Sequence, residues 1–143
     1  IALHYHPHIA HWIHLESNFS LLSNQDKHGN PLPQIPQNRW NNILKIEFDS
    51  GKKLQLNAIS LQYAYYFKQE KIASYELTAA AYQLFNIGLN GCYEGKHKLS
   101  FSAGLNNLFN TQYIDHLSRL KPFGIYNPGR NFYIKISLMI SKS

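Results

Sequence analysis

Apolar and polar residues alternate with a period of two along most of the chain, the signature of strands with two unlike faces. Six such segments stand out. In residues 8–23, Ile9, Ile13, Leu15, Phe19 and Leu21 fall in one phase and His14, Glu16, Asn18 and Ser20 in the other, with Trp12 on the polar side. Residues 39–49 oppose Leu44, Ile46 and Phe48 to Lys45 and Glu47. Residues 53–68 begin with Leu54 and Leu56 in phase, then continue through Ile59, Leu61, Tyr63, Tyr65 and Phe67 in the opposite phase. That switch predicts a bulge near Ala58. Residues 82–94 set Phe85, Ile87, Leu89 and Tyr93 against Asn86, Gly88, Asn90 and Cys92. Residues 98–110 are the cleanest, with Leu99, Phe101, Ala103, Leu105 and Phe109 facing away from Ser100, Ser102, Gly104 and Asn106. Residues 131–140 close the series, Phe132, Ile134, Ile136, Leu138 and Ile140 alternating against Lys135 and Ser137.

The connections sort by parity. Tight turns are expected at Asp49-Ser50-Gly51-Lys52 and Glu94-Gly95-Lys96, whereas residues 24–38, 69–81 and 111–129 form long connections. An up-and-down membrane barrel has short periplasmic turns and long outer loops, while a soluble sandwich has no reason to sort them so. About ten residues per strand, tilted by about 45°, span an apolar band near 25 Å. The expected fold is therefore all-β, an antiparallel up-and-down transmembrane β-barrel. Six strands are below the roughly eight that such a barrel needs, so residues 1–143 read as one segment of a larger wall. Tyr63, Tyr65, Tyr66 and Phe67, Phe109 and Tyr113, and Phe132 with Tyr133 lie near the long connections and predict an aromatic girdle. A soluble β-sandwich or lipocalin-like binding protein is the alternative.

Composition keeps both architectures open. Charged residues make up 15% of the chain and aromatic ones 14%, favouring half-buried strand surfaces over a single core segment. No run of about 18 apolar residues is present, which excludes a transmembrane helix by length but not a barrel. The mean hydropathy of -0.36 suits either case. The net charge of +6 is scattered over turns and alternate strand positions, with no stripe suited to nucleic acid. Cys92 is the only cysteine, which excludes an internal disulfide and a cysteine-rich zinc site. The start, IALHYHPH, has neither the basic nor the apolar part of a signal peptide.

Motifs in the last third carry a family resemblance. Asn107-Leu108-Phe109-Asn110, then Tyr113, then Pro128-Gly129-Arg130-Asn131-Phe132 resemble the C-terminal end of TonB-dependent outer-membrane receptors. The stretch from Tyr113 through Asp115, His116 and Arg119 to Lys121 is similar to the same family. Upstream, His6-Pro7-His8 with Trp12-Ile13-His14-Leu15-Glu16-Ser17, the loop Leu32-Pro33-Gln34-Ile35-Pro36, and Gln69 through Ala73, Glu76 and Thr78 to Tyr82 look like its metal-type members. Physically, Asn107 and Asn110 can satisfy backbone groups at a strand end, Pro128-Gly129 can reverse the chain, and Arg130 can snorkel or hold an acidic partner. The resemblance implies a 22-stranded barrel of which these are the last six strands, with a plug domain and TonB-contacting box elsewhere in a longer protein. It implies TonB-coupled uptake of a scarce nutrient, an iron complex such as a siderophore or haem, or a metal ion, at the bacterial outer membrane. The implied partners are outer-membrane lipid, the plug, TonB and that small ligand. One departure is the ending Met139-Ile140-Ser141-Lys142-Ser143, where the family often has a terminal aromatic residue.

Candidate chemistry is sparse. His4, His6, His8, His11 and His14 are close in sequence and imidazole binds transition metals, but His11 lies off the shared strand phase and Pro7 interrupts the run. Parity places them away from the long loops, so no metal site is expected there. Outer-loop candidates for touching a ligand are His28, Asp115, His116 and Arg119, weighed against a solvated or loop-bracing role in which Asp115 and Arg119 pair. No nucleophile elbow, phosphate loop or dinucleotide motif occurs, and neither enzymatic activity nor a cofactor is expected.

Overall fold

The computed structural model describes residues 2–5, 8–48, 53–95 and 97–139. Within them lie eight strands: β1 (Ala2–Tyr5), β2 (His8–Ala10), β3 (Ile13–Ser20), β4 (Arg39–Glu47), β5 (Leu54–Tyr66), β6 (Tyr82–Glu94), β7 (Lys98–Asn106) and β8 (Asn131–Met139). All pair antiparallel in one sheet of order β1-β3-β4-β5-β6-β7-β8, with β2 also on β3. The up-and-down expectation is met, and the described residues form a single layer in place of the two packed sheets of a sandwich.

The six expected strands are β3 to β8, with corrected bounds. The segment drawn from His8 to Ser23 is two elements, because a turn at His11-Trp12 folds β2 back onto β3, pairing His8 with His14 and Ala10 with Ile13. Trp12 is therefore a turn residue, its carbonyl accepting from the Glu47 amide at 2.8 Å. The fifth strand stops at Asn106, since Asn107 enters the left-handed region at φ 52°. The Asp49-Ser50-Gly51-Lys52 turn, Lys96, His6 and Pro7, and the last residues from Ile140 lie outside the described residues.

The bulge is where the phase switch requires it. Leu56 pairs with Gly91 and Ala58 with Asn90, leaving Asn57 as the extra residue. One residue of slip would turn every later side chain to the other face, and the bulge cancels it. Leu54 and Leu56 therefore share a face with Ile59 and Leu61. With the remaining pairs in even register, apolar rows run across the sheet. Ile134, Ala103, Leu89, Ile59, Ile46 and Ile13 form one, and Phe132, Leu105, Ile87, Leu61, Leu44 and Leu15 the next.

No large side chain among the described residues is fully buried. All of β8, the last strand of the sheet, is exposed, its apolar-face residues Phe132, Ile134, Ile136 and Leu138 by 61%, 62%, 65% and 59%. The opposite face carries rows such as Tyr133, Gly104, Gly88, Ser60, Lys45 and His14. It also carries an amide row. Gln62 Nε2 donates to Asn41 Oδ1 at 2.7 Å, Asn86 Nδ2 to Gln62 Oε1 at 2.9 Å, and the Asn107 backbone N–H to Asn86 Oδ1 at 2.8 Å.

The aromatic girdle divides between the faces. Phe19, Phe67 and Tyr65 meet on the apolar side, as do Trp40, Tyr63, Phe85 and Phe109, with neighbouring centroids 4.8 to 6.1 Å apart. Tyr66, Tyr82 and Tyr113 instead stack in a column on the polar side, at 4.5 and 4.4 Å. Tyr133 also belongs to the polar face, correcting its place and those of Tyr66 and Tyr113 in the girdle.

Tyr133 lies over glycines of the two preceding strands. A Cβ on Gly104 would stand 2.7 Å from Tyr133 Oη and 2.5 Å from the Ile87 carbonyl oxygen, and one on Gly88 would stand 3.2 Å from Tyr133 Oη. Gly104→Ala is expected to destabilise the assembled protein by about 1–3 kcal/mol through overpacking. Denaturant unfolding of the full-length protein checks this, and adding Tyr133→Ala should restore only part of the loss, because the Ile87 carbonyl remains.

Candidate functional site

The functional candidates lie at the end of the sheet where residues 21–38, 67–81 and 107–130 form the long loops. Each loop is shaped locally before it meets the others. In the first, Asp26 Oδ1 accepts the amides of His28 and Asn30, with Gly29 at φ 83° completing the turn. In the second, Gln69 and Ala79 exchange backbone hydrogen bonds at 2.9 and 3.1 Å, and the Glu76 amide closes a turn onto the Ala73 carbonyl. In the third, Asn107 Oδ1 accepts from the Thr111 amide at 2.8 Å while its Nδ2 donates to the Thr111 carbonyl at 2.9 Å. Asn110, also left-handed at φ 55°, accepts the Arg130 amide on Oδ1 at 2.9 Å. Both asparagines thus satisfy backbone groups at the strand end. Gly129 is required beside Asn110, since a Cβ there would lie 2.4 Å from Asn110 Oδ1.

The loops then converge on one cluster. Gln37, buried, donates through Nε2 to the carbonyls of Phe67 and Ala80, at 2.7 and 3.0 Å, and its Oε1 accepts the His116 amide at 3.2 Å. Glu76 accepts the Gln34 amide on Oε1 at 2.8 Å and the Ala73 amide on Oε2 at 3.1 Å. Lys121 stands at the start of a short 3-10 turn, Lys121–Phe123, ended by Gly124 at φ 67°. Its ammonium donates to the Leu77 carbonyl and, at 2.9 Å, to His116 Nδ1. The His116 side chain is 2% exposed, with Nε2 3.9 Å from Glu76 Oε1, too far for a hydrogen bond.

Charge states follow from these contacts. Burial and the Lys121 ammonium hold the His116 imidazole below its ordinary value, against the opposite pull of Glu76 and Asp115. Burial lowers Lys121 as well, opposed by Glu76 and Asp115. Burial pushes Glu76 up, but the Gln34 and Ala73 amides, His116 and Lys121 outweigh it and leave the carboxyl below its ordinary range.

The four sequence candidates separate. Asp115 and His116 lie in the converged region, and Asp115 Oδ2 accepts from Tyr82 Oη at 2.8 Å while Oδ1 accepts the Leu117 amide at 2.9 Å. Its own amide donates to Asn127 Oδ1 at 2.9 Å. The Asp115–Arg119 pair is not formed among the described residues, and Arg119 is exposed. His28 stays in its own turn. Gln37 was missed, because an isolated glutamine between Pro36 and Asn38 carries no sequence signal. Glu76 and Lys121 were visible only as loop charges.

Two recesses open here. One of about 270 Å³, between the first and second loops, is lined by Ser23, Gln25, Lys68, Glu70 and Lys71 among others. The other, about 430 Å³ and between the second and third, is lined by Thr78, Tyr82, Tyr113, Lys121 and Tyr126 among others. Among the described residues no group of three or more His, Cys, Asp or Glu is placed to hold a metal ion. At the opposite end, His14 Nε2 stands 3.3 Å from Glu47 Oε2.

No protein-family model matches the chain, and no curated protein matches it. Among solved structures it is similar to the copper transporter OprC, with a TM-score of 0.75 and 21% sequence identity over 94% of this chain and 22% of that one. The chain thus spans 22% of that transporter's length, and the likeness is one of fold.

Two outcomes follow from the loop geometry. Asn107→Ala removes both side-chain bonds at a left-handed residue and should cost about 2–3 kcal/mol, with Asn107→Gly milder because glycine accepts that φ; denaturant unfolding of the full-length protein checks the order. Because the folded-state pKa of Glu76 is depressed, its contribution is fully present above the ordinary 4.5 and is lost as pH falls through the lowered value. Glu76→Gln should therefore flatten the acid limb of the stability profile.

Proposed function

We propose that this chain is part of the wall of an outer-membrane receptor barrel that takes up a metal ion or metal complex, coupled to TonB. The observation that carries this reading is the largely apolar face from β3 to β8, interrupted at Ser17, Asn42 and Gln83, on which no large side chain among the described residues is fully buried while the opposite face is mainly polar. Such a face is costly in water and favourable against lipid, whereas the amide and serine rows suit a wet lumen. The aromatic residues on the apolar side, concentrated at the long-loop end, fit an interfacial belt.

The fold likeness to a copper transporter supports metal as the class of cargo. The motif from Asn107 to Phe132 supports the TonB-dependent family, and with it an iron complex as the other cargo. In this reading the wall and three outer loops belong to the chain, while the plug and the remaining strands belong to the longer protein that carries it. The loop cluster shapes the outer mouth. His28, Asp115, His116 and Arg119 remain ligand-contact proposals, Arg119 and His28 being the ones whose side chains the loop cluster does not employ.

Uptake of isotopic copper and of iron complexes by cells expressing the full-length protein tests the activity. Accumulation of one of them should require both the protein and TonB, and accumulation unchanged without TonB would exclude the coupling. The wall assignment has a separate test. Ile134→Arg, midway along β8 on the apolar face, should cost about 2–4 kcal/mol if it meets the bilayer midplane and deplete heat-modifiable protein from the outer membrane. Ser137→Arg, on the polar face, should assemble normally; equal tolerance of both would refute a lipid-facing side.

A further inference from the structure

We propose that His116 is the bolt of an acid-sensitive latch that holds the three long loops together while its imidazole is neutral and lets them part when it takes a proton. The latch has a contact from each loop. The third loop supplies His116 and Lys121, the second supplies Glu76 and the Leu77 carbonyl, and the first supplies Gln37 and the Gln34 amide.

The tautomer follows from the donor. An ammonium can only donate, so Nδ1 must accept from Lys121 at 2.9 Å, and the ring hydrogen is then on Nε2. Nε2 is buried without a hydrogen-bond partner and points toward Glu76 Oε1 at 3.9 Å. An arriving proton has one place to go, Nδ1, which Lys121 already covers. Protonation therefore sets an N–H against the ammonium, and Lys121 is driven off Nδ1 and away from the Leu77 carbonyl. The imidazolium is drawn through Nε2 toward Glu76 Oε1, the oxygen that accepts the Gln34 amide. The second loop loses its lysine tether, and the Gln34 amide of the first must share Glu76 Oε1 with a charged donor, in the same event.

The charged groups facing the ring are few. Lys121 and Asp115 come from its own loop and Glu76 from the second, while the first loop presents the uncharged Gln34 and Gln37. Asp115 is occupied by the Tyr82 phenol and the Leu117 amide. Burial and the neighbouring ammonium keep the neutral ring the stable form at neutral pH. Since the folded value lies below the ordinary 6.5, the latch is fully formed above that pH and fails as pH falls through the lowered value. This device concerns loop opening alone and does not depend on which solute is transported.

Hydrogen exchange of the full-length protein in detergent micelles, corrected for intrinsic exchange rates, tests it at the segments containing Gln34 and His116. Protection in the unaltered protein should fall about tenfold or more between about pH 7.5 and pH 5.0. In His116→Asn, whose amide oxygen can accept from Lys121 but takes no proton, protection should stay within about twofold over that range. Unchanged protection in the unaltered protein overturns the latch, and so does a tenfold fall in His116→Asn. Lys121→Met offers an independent reading should His116→Asn not assemble. Its loops should already be open at the higher pH, and a further tenfold loss on acidification would overturn the latch.

Discussion

The antiparallel backbone ladder, kept in even register from β3 to β8, is the constraint on which the rest of the molecule depends. Side chains on a strand alternate between faces, so a single uncorrected slip between neighbours would place leucines among the asparagines from that point onward. The extra residue Asn57 is the one irregularity in the β5–β6 pairing, and it sits where the apolar phase of β5 changes. It preserves the separation of the faces across the sheet, and without it neither the apolar rows nor the amide row would be continuous.

The two faces obey different packing rules. On the apolar side bulk is presented outward, and the sheet has no dry core of large side chains among the described residues. On the polar side stability comes from short-range hydrogen bonds and from rings laid over small residues, as Tyr133 does over Gly104. The loops follow the second rule. Their cohesion rests on Gln37, Glu76, His116 and Lys121, whose value depends on burial and on every partner being present.

Much of the wall was legible in the sequence, because period-two alternation and turn chemistry are local signals. The bulge could be read from the break between Leu56 and Ile59, and the capping role of Asn107 and Asn110 from residue type. The start of the chain is less legible, because His8 to Ser23 keeps its alternation through a turn that periodicity does not register. The girdle was half right for a related reason. Proximity to a strand end is visible in sequence, but Tyr66 and Tyr113 face the lumen-like side through their pairing and stacking. The loop cluster was least legible, since it joins residues up to 79 positions apart, as in the bond from His116 to Gln37. Only tertiary closure brings those groups together.

The amide row from Asn41 through Gln62 and Asn86 to Asn107 has a direction. Its last bond is donated by a backbone N–H, which cannot accept, so Asn86 must turn its oxygen toward Asn107 and its NH₂ toward Gln62. Gln62 must then accept from Asn86 and donate to Asn41, and none of these side chains can flip alone without opposing two like groups. One main-chain hydrogen, held in place by a left-handed turn, thereby sets the polarity of side chains across three strands. The turn acts as an anchor of orientation for the polar face as well as a stop for β7.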